Sequence, residues 1–204
     1  MISGLYSVST VSRQRIGLFG GSFNPAHQGH VAVSEEALKR LQLDQVWWLV
    51  SPQNPLKDSR DTGDFNERVT HARDLLDNPR LLVTGMEARL GTRTTAQTFN
   101  ALTPMLQQSR FVWIMGADSF AGLHHWNDWR TIPATLPLAV FARPGWTRKA
   151  LSSPAARLLA DHRVDATSAG RLADLAPPAW CFLNMPLRYE SSTAIRNGST
   201  GQES

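Results

Sequence analysis

Six short apolar runs punctuate the chain at Ile16 to Phe19, Val46 to Val50, Leu81 to Val83, Phe111 to Met115, Leu138 to Phe141 and Trp180 to Leu183. Their apolar residues are successive rather than alternating, so each run reads as a strand covered on both faces, the pattern of a parallel sheet. Parallel strands need crossovers, and the segments between them supply helical stripes. Ala37, Leu38 and Leu41 recur at helical spacing, as do Val69, Ala72, Leu75 and Leu76, while Ala155, Leu158 and Leu159 follow a Ser153-Pro154 start signal. Strand alternating with helix implies one α/β domain, doubly wound and Rossmann-like, with a mostly parallel sheet. The domain is expected to span residues 15–197, between a Ser- and Thr-rich extension (1–14) and a polar tail (198–204) that both lack a hydrophobic period and are expected to fray. The length of 204 residues suits one such domain rather than two.

Composition narrows the partners. Only Lys39, Lys57 and Lys149 are lysines among the 21 basic residues, and arginine forks suit phosphates. The formal charge of +4 is scattered rather than gathered into a basic tract, which favours a small anionic substrate over nucleic acid. No apolar run approaches the roughly 20 residues that span a bilayer. The lone Cys181 cannot close an intrachain disulfide, and the N-terminus lacks a basic flank followed by a long apolar stretch. A cytoplasmic protein, monomeric or a small homo-oligomer, is expected.

In a doubly wound sheet the ligand lies beyond the carboxyl ends of the strands, where the strand order reverses. The first segment in that position is Gly20-Gly-Ser-Phe-Asn-Pro-Ala-His-Gln-Gly-His30. Its glycines allow a tight turn and close approach of backbone amides to a phosphate. A P-loop would need GxxxxGK, and a dinucleotide fingerprint would need GxGxxG with an acidic residue ending the second strand, where Val50-Ser51-Pro52 stands. His27 and His30 remain. Three apart at the start of a helix, they share a face, and they can donate hydrogen bonds to phosphoryl oxygens or, if charged, stabilise a pentavalent phosphorus. A zinc pair and a purely structural turn are the rival readings; HxxH lacks the glutamate of HExxH.

This loop resembles the first signature of the nucleotidylyltransferase superfamily, in which a glycine pair precedes a (His or Thr)-x-Gly-His motif that binds a nucleoside triphosphate. Ser191-Ser-Thr-Ala-Ile-Arg196, by itself an ordinary helix cap, matches the second signature, a Ser-Ser-Thr-x-x-Arg clamp on the β and γ phosphates. Gly116-Ala-Asp-Ser-Phe120 followed by Trp126-Asn-Asp-Trp129 resembles the matching segment of the bacterial nicotinate-nucleotide adenylyltransferases, whose tryptophan stacks on a nicotinate ring. Trp126 takes that role here. Trp126 and Trp129 are expected on one helical face, with Trp129, like Trp47, Trp48 and Trp113, in the core. The family's Ser-Tyr-Thr stretch corresponds to Arg93-Thr94-Thr95, without the tyrosine, and its proline-rich loop to Pro52-Gln-Asn-Pro-Leu-Lys57. Arg143-Pro-Gly145 falls where the family borders adenine.

The resemblance implies a mechanism and a site. The phosphate of nicotinate mononucleotide attacks the α-phosphorus of ATP, with Mg2+ riding on ATP and no metal held by the protein. His30 makes the transition-state contact, assisted by His27. ATP is expected on Gly20, Gly21, Ser22, Phe23, His27, His30, Gly116, Asp118, Arg143, Ser192, Thr193 and Arg196. Nicotinate mononucleotide is expected on Lys57, Thr94, Thr95, Asp118, Trp126 and Asn127. Other phosphorylated acceptors, nicotinamide mononucleotide or phosphopantetheine, and a catalytically silent nucleotide-binding module are the alternatives.

Overall fold

The computed structural model describes residues 13–52, 63–106, 108–186, 192 and 195. Among these residues seven strands, β1 (Arg15–Gly21), β2 (Gln45–Val50), β3 (Leu81–Thr84), β4 (Arg110–Gly116), β5 (Leu138–Phe141), β6 (Arg163–Val164) and β7 (Trp180–Leu183), form one sheet in the order β3-β2-β1-β4-β5-β7-β6. Every pairing is parallel. The chain builds outward from β1 through β2 to β3 and then returns to lay β4 on the other side of β1, so the order reverses between β1 and β4. The six expected strands are present, and the two-residue edge strand β6 joins them; a run that short leaves no periodic signal.

The apolar runs are continuous because each strand feeds two cores. Ile16, Leu18, Trp47, Leu49, Trp113, Met115, Leu138 and Trp180 pack on one face, with Phe99 and Leu102 of α4 (Thr95–Leu106), Phe120 of α5 (Ala117–Ala121) and Ile132 of α6 (Thr131–Thr135). Phe19, Val46, Trp48, Val50, Val112, Ile114, Phe141 and Cys181 pack on the other, against Val33, Ala37 and Leu38 of α1 (Gln28–Arg40) and Val69 and Ala72 of α2 (Phe65–Asp74). Shorter helices α3 (Met86–Leu90), α7 (Thr147–Leu151) and α8 (Pro154–Leu158) complete the cover. Burial of large side chains on both faces is the main stabilising term, at roughly 1.5–3 kcal/mol for each fully buried residue.

Three helix expectations need correction. Leu75 and Leu76 lie past the end of α2, although both still pack against its core. Leu158 is 53% exposed, because α8 ends after five residues and turns that position outward. Trp126 and Trp129 share no helical face: α5 stops at Ala121, a 3-10 turn covers Leu123–His125, and Trp126 has extended backbone (φ −78°, ψ 146°) before a further turn through Asp128.

Gly20, near the carboxyl end of β1, is fixed by packing. A β-carbon there would run into the indole of Trp113, which is itself wedged edge-on against Phe99 with ring centroids 5.0 Å apart. Gly20→Ala is therefore expected to destabilise the fold by about 1–3 kcal/mol through overpacking, read as a fall of several degrees in Tm by thermal denaturation.

Candidate active site

The loop after β1 is assembled on aromatic rings. Phe23 sits in the left-handed region at φ 44°, a conformation unfavourable to a bulky side chain, and is held there by burial. Its ring stacks on Trp48 at 4.7 Å and 8°, meets Phe19 edge-on at 5.7 Å, and lies 4.9 Å from the His30 ring. The strained residue thus points inward while Gly21 and Ser22 carry the backbone around the turn.

His27 is the N-cap of α1, and His30 stands one turn in. The two imidazoles are 3.8 Å apart between centroids, and both are at least nine-tenths buried. His30 Nδ1 accepts a hydrogen bond from the His27 backbone N–H at 3.2 Å. In the neutral ring the proton is then on Nε2, which leaves Nε2–H as a donor. The His30 carbonyl accepts from Ser34 Oγ at 2.9 Å, and that oxygen accepts from Trp48 Nε1 at 2.7 Å. Trp48, expected only as core, thus also sets the seat of His30.

Across the point where the strand order reverses stand Asp118, in the first turn of α5, and Arg143, just after β5. Arg143 Nε lies 3.7 Å from Asp118 Oδ1. Gly116 makes room for this pair, since a β-carbon there would strike the Asp118 carboxylate and lie 3.0 Å from Arg143 Nε. Burial pushes the His27 imidazole down to about 4, and the Arg143 guanidinium adds to the shift. Burial likewise holds His30 well below its ordinary value, with His27 and Arg143 contributing. In the free protein near neutral pH both rings are uncharged, and among the described residues the fixed positive charge beside them is that of Arg143.

Ser192 Oγ donates to the Pro25 carbonyl at 2.9 Å, joining that residue of the C-terminal motif to the loop that carries both histidines. Thr193, Arg196 and Lys57 lie outside the described residues. Thr94 caps α4, its hydroxyl accepting from Gln97 N at 3.3 Å, and the half-buried Thr95 opens that helix. Trp126 is half-buried against the core, and Asn127 is exposed in the turn that follows it. Among the described residues no group of three or more His, Cys, Asp and Glu is placed to hold a metal ion, and no helix is long and apolar enough to cross a membrane.

Two buried charged residues went unnoticed in the sequence. Arg68 of α2 donates to the carbonyls of Ser22, Ser51, Pro52 and Gly63. Glu87 of α3 accepts from Thr98 Oγ1 at 3.3 Å and from Ser51, and burial raises its carboxyl to about 7 despite both bonds. The available cue for Arg68 was its position on the stripe formed by Phe65, Val69 and Ala72, where an apolar residue is the rule.

Residues 18–198 match the cytidylyltransferase-like family. A probable nicotinate-nucleotide adenylyltransferase of Cereibacter sphaeroides is 54% identical over 89% of this chain and 96% of its own length. Another from Parvibaculum lavamentivorans is 51% identical over 89% of this chain and 90% of its own. This chain belongs to the nicotinate-nucleotide adenylyltransferase branch of that family. Among solved structures it resembles the Plasmodium falciparum nicotinic acid mononucleotide adenylyltransferase complexed with NaAD, with a TM-score of 0.66 at 14% identity, covering 91% of this chain and 83% of that one. That likeness is one of fold.

The depressed imidazoles make stability depend on pH. Below about 6.5 the unfolded chain takes up protons that the buried rings refuse, so stability falls with pH until the folded His27 titrates near 4. Thermal melts are expected to show a shallower loss of Tm over that window for His27→Asn/His30→Asn than for the wild type; equal slopes would contradict the burial argument.

Proposed function

We propose that this chain transfers the adenylyl group of ATP to nicotinate mononucleotide, giving nicotinate adenine dinucleotide and pyrophosphate, as a cytoplasmic step of NAD biosynthesis. The observation that carries nucleotidyl transfer is the bond from Ser192 Oγ to the Pro25 carbonyl, which puts one hydroxyl of the second signature on the loop that carries the first. Identity near 50% along almost the full length of relatives bearing that name supports the choice of acceptor.

In this reading an acceptor phosphate oxygen attacks the α-phosphorus, the bond from the α-phosphorus to the bridging oxygen breaks, and pyrophosphate leaves with the electron pair. The nucleophile is already an anion, so no general base is needed. Rate comes from alignment and from stabilising charge that develops on the α-phosphoryl oxygens. His30 donates Nε2–H to one of those oxygens, a neutral donor rather than an imidazolium at the outset. Arg143 supplies the cationic field, and His27, Ser192, Thr193 and Arg196 hold the polyphosphate. Mg2+ enters on the phosphates of ATP. Asp118 accepts ribose hydroxyls, Lys57 holds the acceptor phosphate, Thr94 and Thr95 present α4 to the pyridine carboxylate, and Trp126 offers its ring to the nicotinate.

Pyrophosphate release from MgATP against a panel of nicotinate mononucleotide, nicotinamide mononucleotide and phosphopantetheine tests the acceptor. The highest kcat/KM is expected with the first, and a preference for phosphopantetheine would reject it. His30→Ala is expected to lower kcat by roughly 100- to 1000-fold with an intact thermal transition. Trp126→Ala is expected to raise KM for nicotinate mononucleotide alone; an equal rise for ATP would remove Trp126 from the acceptor site.

A further inference from the structure

A guanidinium buried without a carboxylate partner is costly, and its donors must be satisfied by other means. Arg68 is 4% exposed, and the carboxylate whose charge it feels, that of Asp64, forms no direct hydrogen bond with it among the described residues. Its donors end on backbone oxygens instead: Nη1 on Ser22 at 2.5 Å and Ser51 at 2.8 Å, Nη2 on Pro52 at 2.9 Å, and Nε on Gly63 at 2.9 Å. Ser22 belongs to the loop assigned to ATP. Ser51 and Pro52 directly follow β2, and Ser51 bonds Glu87, whose carboxylate also accepts from Thr98 of α4, the helix whose first residues are assigned to the acceptor. One rigid fork therefore joins the backbone of the two proposed half-sites, a geometry a lysine cannot reproduce. Neighbouring contacts follow the same course. Asn24 Oδ1 accepts from Gly63 N at 3.3 Å, and His71, one turn beyond Arg68 on α2, donates from Nε2 to the Ala26 carbonyl at 3.1 Å.

We propose that Arg68 is a positioning residue that couples the two half-sites, so that ordering of the Ser22 loop by ATP sets the end of β2 for the phosphorylated acceptor. The inference rests on the proposed function. Coupling of this kind is reciprocal, and each ligand tightens the other by the same factor.

The test begins with turnover of the wild type with nicotinate mononucleotide and MgATP; if no dinucleotide forms, the proposed function fails and this inference falls with it. Where turnover is present, calorimetry measures the Kd of nicotinate mononucleotide with and without saturating magnesium α,β-methylene-ATP. The ratio of the two constants is expected to be about 10 in the wild type. In Arg68→Lys it should approach one. Val69→Ala, a core truncation one residue along the same helix, lowers Tm without touching these carbonyls and should keep the wild-type ratio. Should Arg68→Lys fail to fold, Asn24→Ala cuts the neighbouring bridge and should lower the ratio partway. A ratio of one in the wild type, an unchanged ratio in folded Arg68→Lys or in its substitute Asn24→Ala, or an equal loss in Val69→Ala overturns the coupling role.

Discussion

The His30 imidazole, packed against Phe19, Phe23 and Trp48, must have its polar groups satisfied locally, because a buried donor or acceptor left unmade costs about 1–3 kcal/mol. His30 Nδ1 meets this requirement through the His27 N–H, and the His30 carbonyl does so through Ser34 and the Trp48 indole. These bonds pass from loop to helix to strand, so the seat of His30 depends on the pairing of β1 with β2. The same constraint explains why an aromatic residue occupies the left-handed position at 23: stacking on Trp48 offsets the backbone penalty that a glycine there would escape.

Desolvation also divides the electrostatic labour. Rings kept neutral by burial can donate a directed hydrogen bond, but they bring no full charge to a triphosphate; that falls to arginine, which stays protonated when partly buried. Arg143 stands beside both rings and faces Asp118, so cation and carboxylate temper each other until a ligand arrives. An approaching polyphosphate reverses the balance, because negative charge near an imidazole favours its protonated form. Glu87 follows the opposite sign: burial favours its neutral acid, which can donate as well as accept among Ser51, Thr92 and Thr98.

What could be read from the sequence depended on whether the signal was local. The six longer strands were legible because covering on both faces leaves an unbroken apolar run, and the glycine-histidine loop because its residue types have few other uses. The geometry of Trp126 was not, since spacing by three implies a shared face only where a helix continues, and here it ends at Ala121. Burial of Arg68 and Glu87 depends on partners 16 or more residues away for Pro52, Ser51 and Ser22 in the first case and 11 away for Thr98 in the second, which no local period encodes. Lys57, Thr193 and Arg196 fall outside the described residues, so their assignment rests on the resemblance and on family membership alone.

The reversal of strand order also accounts for a two-substrate site on one sheet. After β1 the chain turns into α1, which packs on one face; after β4 it turns into α5, which packs on the other. The two connections therefore diverge above adjacent strands, the arrangement in which a doubly wound sheet places its ligand crevice. A reaction joining two nucleotides needs such a cleft open at the top and rigid at the base. The rigidity comes from β1 and β4 being hydrogen-bonded neighbours in the middle of the sheet, where displacement of either loop would disturb both cores.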